Sequence, residues 1–135
     1  MSKTELDKVK QIALRVREWA EVVRENTPQS DSYGWYDDLC GMCAICSYEL
    51  ARRLKRAGFY PRVHVNESHS FVRVNKVIVD VTATQFGYRE RVLIRSKSPG
   101  DWWNDGRSFR FGDKRGMKRA FRGWPKEQKP LLDKR

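Results

Sequence analysis

The sequence predicts an α+β fold in which helices pack on an antiparallel β-sheet. Two segments with helical periodicity come first, and three consecutive strand-like segments follow them with no helix in between. Strands in that order pair as hairpins. The chain has 135 residues, 39% of them hydrophobic and 12% aromatic. A chain of this length can bury one hydrophobic core, and this composition is too apolar for a disordered polycation. We therefore expect a single domain over residues 1–135.

The first element is a helix over residues 1–26. Ser2 and Glu5 have the spacing of a capping box at its start, and Pro28 follows its end. Its apolar residues recur at steps of three and four, which favours packing on the chain's own core over a membrane-surface or partner-binding role. This face comprises Leu6, Val9, Ile12, Ala13, Val16, Trp19, Ala20 and Val23.

The N-terminal region also bears on location. It carries charges throughout and has no apolar run of the length of a signal peptide or membrane span. The cysteines number three, an odd count that argues against a secreted disulfide framework. We expect a cytoplasmic protein with free thiols and no membrane contact.

Residues 40–95 form the central part of the chain, which begins with a second helix. After a turn-rich loop over residues 27–39, helical periodicity starts near Cys43, and Gly58 ends it. Gly41 allows the backbone to turn sharply into this helix. A thiol at a helix N-terminus lies at the positive end of the dipole, which favours the nucleophilic thiolate.

Strand-like alternation follows this helix. A two-residue turn at Asn75 and Lys76 would pair Val74 with Val77. That register places His69 and Asp80 on one face as diagonal neighbours, within reach of each other's side chains. The predicted strands are Arg62–Asn66, His69–Val74 and Val77–Thr82, and a fourth, Arg91–Arg95, comes after a loop.

Three of these residues form a candidate catalytic group. Asp80 can accept a hydrogen bond from one ring nitrogen of His69, while the other ring nitrogen meets the sulfur of Cys43. Nucleophile, base and orienting acid are the parts that covalent catalysis by a thiol requires. Each residue taken singly is also a common structural residue, so the prediction depends on their joint placement.

The central segment resembles the transglutaminase-like branch of the papain-like cysteine enzymes, over the 48 residues from Cys40 to Gly87. The resemblance implies Cys43 as nucleophile, His69 as general base and acid, and Asp80 as orienter. It implies a hydrolase or acyl transferase that acts on a carboxamide or ester through a thioester on Cys43, with no cofactor. The motifs that carry it are Gly41-Met42-Cys43-Ala44, His69-Ser70-Phe71-Val72 and Val79-Asp80-Val81-Thr82.

The sequence departs from the family in two respects. Only 26 positions separate Cys43 from His69, so the insertions that commonly shape the family's substrate cleft are missing. For the oxyanion, the sequence offers the backbone N–H of Cys43 and a second donor to be sought among Gln85, Trp35 and Tyr36. We expect a protein, peptide or amide substrate of acidic character, and hydrolysis in preference to transfer.

Metal and redox alternatives arise from the cysteine spacing. Cys40 and Cys43 with His64 and His69 would supply four ligands for a structural zinc. Cys40 is also an alternative nucleophile, or a redox partner of Cys43. Cys46 lies on the helix face of Leu50 and is better interpreted as a small core residue.

The remaining segment, residues 96–135, is basic and rich in aromatic residues. The chain has a net charge of +11, and residues 95–135 hold 13 basic against five acidic residues. The pattern assigns no regular structure there. Cations interleaved with aromatic rings are also typical of a non-enzymatic nucleic-acid-binding module. The residues concerned are Trp102, Trp103, Arg107, Phe109, Arg110, Phe111, Lys114 and Arg115, although Trp102 and Trp103 are better interpreted as core.

Overall fold

The computed structural model describes residues 1–25, 39, 41–96 and 100–130. Within these residues the chain forms three α-helices and one five-stranded antiparallel sheet, which confirms the predicted α+β class. The strand order is β4-β3-β2-β1-β5. The helices are α1 (Lys3–Glu25), α2 (Cys43–Arg56) and α3 (Lys114–Ala120), and the strands are β1 (Arg62–Val65), β2 (Ser70–Val74), β3 (Val77–Asp80), β4 (Leu93–Arg95) and β5 (Arg107–Arg110).

Helix α1 begins with the predicted capping box. The Glu5 N–H donates to Ser2 Oγ over 3.1 Å, and the Ser2 N–H donates to Glu5 Oε1 over 3.0 Å. Reciprocal bonds of this kind satisfy backbone donors that the first turn leaves open. Its buried residues are Val9, Ala13, Val16, Arg17 and Ala20, of which only the arginine was not expected. None of the helices in the described part of the chain has the length and apolarity needed to cross a bilayer.

The β2–β3 hairpin has the predicted register. Val74 pairs with Val77 and Val72 with Val79, and the turn residues Asn75 and Lys76 have φ angles of 48° and 70°. Positive φ at both central positions defines the two-residue hairpin turn whose twist matches that of the strands. The register therefore follows from this turn, and with it the side of the sheet on which each side chain lies.

Each face of the sheet packs against a different set of residues. One face contributes Val63, Val72 and Phe109 to a core shared with the helices. Phe71 and Ile78 project from the opposite face, where they pack with Trp103 in a second, smaller cluster. His69 and Asp80 alternate in step with Phe71 and Ile78, so they belong to this second face.

The C-terminal part has regular structure that the sequence pattern did not predict. Strand β5 pairs antiparallel with β1 at the sheet edge, and α3 follows it. Gly106 permits the close approach of β5 to β1, because a Cβ there would lie 2.1 Å from the carbonyl oxygen of Val65. Trp103 and Phe109 are buried in the core. Strand β5 has four residues and only one of them is buried, so its sequence shows almost no alternation of apolar and polar residues from which a strand could be predicted.

Replacing Asp113 with alanine is expected to lower the free energy of unfolding by about 1 kcal/mol, the usual cost of losing a helix N-cap. Asp113 caps α3, since its Oδ1 accepts the Gly116 N–H over 3.0 Å. Urea denaturation measures the change. The matched control is Asp105→Ala, also an exposed aspartate. Equal destabilisation by both variants would contradict the capping role.

Candidate active site

Cys43 is the first residue of α2, so its thiol lies at the positive end of the helix dipole. The chain enters the helix through a tight turn in which the Met42 N–H donates to the Leu39 carbonyl over 3.1 Å and Gly41 has a φ of 85°. The Cys43 side chain is 4% exposed. In the first turn, the backbone N–H of Cys43 is not needed by the helix's own hydrogen bonds.

His69 precedes β2 and is fully buried. Asn66 shapes the turn before it, because the Asn66 Oδ1 accepts the backbone N–H groups of Ser68 and His69 over 3.1 and 2.9 Å. The imidazole Nε2 lies 2.5 Å from Asp80 Oδ2 on the neighbouring strand. The structure thus brings His69 and Asp80 into direct contact.

A hydrogen-bonded chain continues on the far side of Asp80. Its Oδ1 accepts the backbone N–H of Thr82 over 2.8 Å and the Thr82 hydroxyl over 3.2 Å. The Gln85 amide in turn donates to the Thr82 hydroxyl over 3.1 Å and to the Thr82 carbonyl over 3.0 Å. Gln85, predicted as a candidate oxyanion donor, is therefore better described as a residue that positions Thr82 and Asp80.

Cys43 interacts with the same imidazole. Burial opposes a charge on His69, but the Asp80 carboxylate, reinforced by hydrogen bonding to the Cys43 side chain, raises the pKa of His69 to about 9. Because Nε2 is bonded to Asp80, Nδ1 is the ring nitrogen available to the sulfur. The structure therefore brings His69 and Asp80 into contact, and Cys43 contributes to the raised pKa of the same imidazole. The assignment of the three residues as one catalytic group stays a prediction. A cation beside a thiol favours the thiolate form.

The two histidines of the chain are expected to titrate on opposite sides of the ordinary value. Ring-proton NMR should find the pKa of His69 near 9, whereas burial lowers that of His64 below 6.5. Because the folded state holds the His69 proton more tightly than the unfolded state does, this proton stabilises the fold fully below pH ~6.5. The stabilisation is lost as the pH rises from there to about 9. In a Cys43→Ala variant, where this thiol does not titrate, the free energy of unfolding should fall over that interval. A His69 that loses its proton near pH 6.5 would contradict the described contacts.

Aromatic rings enclose the His69 imidazole. The ring centroids of Phe86, Trp103 and Phe71 lie 4.6, 5.6 and 5.9 Å from its own. Trp103 and Phe71 are buried, whereas Phe86 is 42% exposed. Apolar surroundings strengthen the electrostatic interaction between the imidazole and Asp80. Phe86 is the exposed side of this aromatic enclosure.

Sequence reasoning missed Arg17, which connects α1 to the turn after Asp80. Its Nη1 donates to the Val81 carbonyl over 3.0 Å and to the Thr84 hydroxyl over 2.8 Å. Its buried position was detectable, because residue 17 lies four positions after Ala13 and three before Ala20 on the apolar face. Arg17 therefore supports the segment that follows Asp80.

The residues of the zinc alternative have other roles where the structure describes them. His64 Nε2 lies 2.6 Å from the Asp105 carbonyl oxygen. Cys46 is buried, and burial raises the pKa of its thiol, as expected for a core residue. No group of three metal-ligating side chains occurs among residues 1–25, 39, 41–96 and 100–130. Cys40, Trp35 and Tyr36 lie outside those residues.

Comparisons with known proteins give no relative from which a function could be transferred. No protein-family model, curated protein or solved structure matches the chain. The site must therefore be interpreted from its own geometry.

Proposed function

We propose that this protein is a cysteine-dependent hydrolase or acyl transferase of the transglutaminase-like, papain-like type, with Cys43 as nucleophile. The observation that carries the proposal is the buried contact of the His69 Nε2 with Asp80 Oδ2, at 2.5 Å. Cys43 adds to the raised pKa of the same imidazole. The position of Cys43 at the start of α2 supports the same assignment. These are the three parts of an activated thiol nucleophile.

The first half of the reaction forms a thioester. His69 takes the thiol proton, and the Cys43 sulfur attacks the carbonyl carbon of a carboxamide or ester. The backbone N–H of Cys43, which the helix's own hydrogen bonds leave open, donates to the oxyanion that develops in the proposed reaction. The tetrahedral intermediate collapses as the bond to the leaving amine or alcohol breaks, and His69 returns the proton to that leaving group.

The second half releases the acyl group. Water, or an amine in a transfer reaction, attacks the thioester carbonyl while His69 accepts its proton. The C–S bond then breaks and the proton returns to the sulfur. Asp80 holds the imidazole in one orientation through both halves, and the Thr82 bonds hold Asp80. A nucleophile that must remain a free thiol suits a reducing compartment such as the cytoplasm.

The net charge of +11 favours an acidic protein, peptide or amide as the substrate. The contribution of this charge is electrostatic attraction during encounter, so it concerns the rate of association more than the chemical step. The net charge has no bearing on whether the group attacked is a peptide bond or a side-chain carboxamide.

A small activated ester tests the thioester step without knowledge of the natural substrate. On mixing with p-nitrophenyl acetate, we expect a burst of one nitrophenolate per chain, and mass spectrometry should locate one acetyl group on Cys43. Cys43→Ala should show neither. Cys46→Ala should leave both unchanged, because the Cys46 thiol is buried in the core. Absence of a burst, or acetylation of another residue, would refute the proposal.

A further inference from the structure

Two cavities lie at opposite ends of the edge strand β5. The first, of about 380 Å³, is lined by Lys55, Tyr60, Pro61, Arg62, Arg110 and Phe111. The second, of about 400 Å³, is lined by the Asn66 turn, by Arg107 at the start of β5, and by residues at and just after the end of α3, including Arg119, Arg122 and Trp124. Because β5 runs from Arg107 to Arg110, about 10 Å of extended backbone connects the two.

We call this surface the basic edge and define it by six cations and two rings. No ion pair within the described residues includes any of these cations. Among residues 1–25, 39, 41–96 and 100–130, Glu67 is the one carboxylate that lines either cavity. The members are Lys55, Arg62, Arg107, Arg110, Arg119 and Arg122, with Tyr60 and Trp124.

The sheet places like charges directly opposite each other at one end of this surface. Arg62 is the register partner of Arg73 on β2 and of Arg110 on β5, so three arginines cross three adjacent strands. Like charges in such pairs destabilise a sheet. A row of this kind costs stability in the free protein, and a bound anion would remove that cost.

Aromatic rings accompany the cations in both cavities. Tyr60 is 79% exposed. Trp124 is half-buried and packs edge-on against Phe121 with 5.1 Å between ring centroids. Arginines alone suit any anion, whereas arginines with accessible rings suit a chain of phosphates and bases, because bases stack on such rings.

We propose that the basic edge binds single-stranded nucleic acid, with phosphates on its arginines and bases against Tyr60 and Trp124. The second cavity includes Asn66, whose side chain holds the backbone of His69. The bound strand would therefore end beside the turn that carries His69. This surface is separate from Cys43, so binding does not depend on the proposed chemistry.

Fluorescence anisotropy with labelled oligo(dT) and oligo(U) tests the proposal. With about four phosphate contacts, affinity should fall roughly 50-fold between 50 and 200 mM salt, since the log–log slope is about −0.7 per contact for single strands. Cys43→Ala should bind as the wild type does, which keeps this test independent of the enzyme proposal. Absence of binding at 50 mM salt would overturn the inference.

Charge-matched variants separate a site from net charge alone. Arg62→Gln with Arg110→Gln should weaken binding at least about tenfold and reduce the salt slope by about 1.4, the value for two lost contacts. Arg15→Gln with Arg89→Gln removes the same charge from exposed positions outside the basic edge and should change affinity less than threefold. Equal losses in the two double variants would overturn the proposal.

A third measurement distinguishes nucleic acid from an acidic polypeptide. Tyr60→Ala should weaken oligonucleotide binding at least about fivefold through lost stacking, whereas Tyr60→Phe should not. Because Tyr60 is exposed, shortening its side chain leaves the core intact. If polyglutamate competes equally per charge and Tyr60→Ala binds as the wild type does, the surface recognises acidic polypeptide and the proposal is wrong.

Discussion

Iodoacetamide is expected to alkylate Cys43 rapidly at pH 6, at one group per chain. An ordinary cysteine, with a pKa of about 8.5, is thiolate in only about one molecule in 300 at this pH. In the proposed reaction, the position of Cys43 at the helix start and the base His69 activate its sulfur for attack. The rate of alkylation should therefore exceed that of an ordinary thiol by up to about 100-fold.

The other thiols provide the controls for this experiment. Cys43→Ala should abolish the fast reaction, and His69→Ala should slow it at least about tenfold because the imidazolium is lost. Cys46→Ala should leave it unchanged, since Cys46 is buried and burial raises the pKa of its thiol. Cys40→Ala tests the alternative nucleophile. A fast reaction that persists without Cys43 and disappears without Cys40 would reassign the nucleophile.

The same experiment also tests access to the sulfur. Cys43 is only 4% exposed, and the two cavities of the basic edge are lined by none of Cys43, His69 and Asp80. A substrate must nevertheless reach this atom for the proposed chemistry to occur. Slow alkylation of the folded protein at pH 6, with rapid alkylation only in urea, would show that the thiol is sealed in the core and would refute the enzyme proposal.

Asp80→Asn is expected to reduce acyl-enzyme formation by about 100-fold or more, within the range for loss of general acid–base catalysis. The amide keeps the shape of the side chain but removes the negative charge that raises the pKa of His69. The pKa of His69 should therefore fall, and the pH at which Cys43 reacts fastest should move with it. The nitrophenolate burst and a ring-proton NMR titration measure the two effects.

Two controls separate this electrostatic role from a structural one. Asp105→Asn makes the same chemical change at an exposed residue and should alter neither measurement. Thr82→Val removes one hydroxyl from Asp80 Oδ1 and leaves the backbone N–H bond, so its effect should be much smaller. If Asp80→Asn slowed acylation while the pKa of His69 stayed near 9, Asp80 would be acting through packing alone.

Arg17 and Gln85 show how the site depends on residues outside the catalytic group. Both bind the segment that follows Asp80, Arg17 from α1 and Gln85 from the turn itself. The hydrogen bonds that join them to this segment end on Val81, Thr82 and Thr84, not on Cys43. They are positioning residues for Asp80, and their effect on a reaction would pass through the orientation of His69.

The sequence by itself determined those features that arise from residues close together in the chain. The capping box at Ser2, the start of α2 at Cys43 and the Asn75 turn are each encoded within a few residues, and helical or strand periodicity extends them. The turn has an even number of residues, and side chains alternate along a strand. These two facts place His69 and Asp80 on the same side of the sheet.

Only the tertiary structure decided which distant residues meet. Arg17 reaches Val81 across 64 positions, and β5 pairs with β1 across more than 40, as in Val63 with Phe109. The enclosure of His69 by Trp103 and the row of arginines across β2, β1 and β5 arise in the same way. Such contacts depend on how whole elements pack, since the cost of closing a long loop is repaid only when its ends bury a common surface.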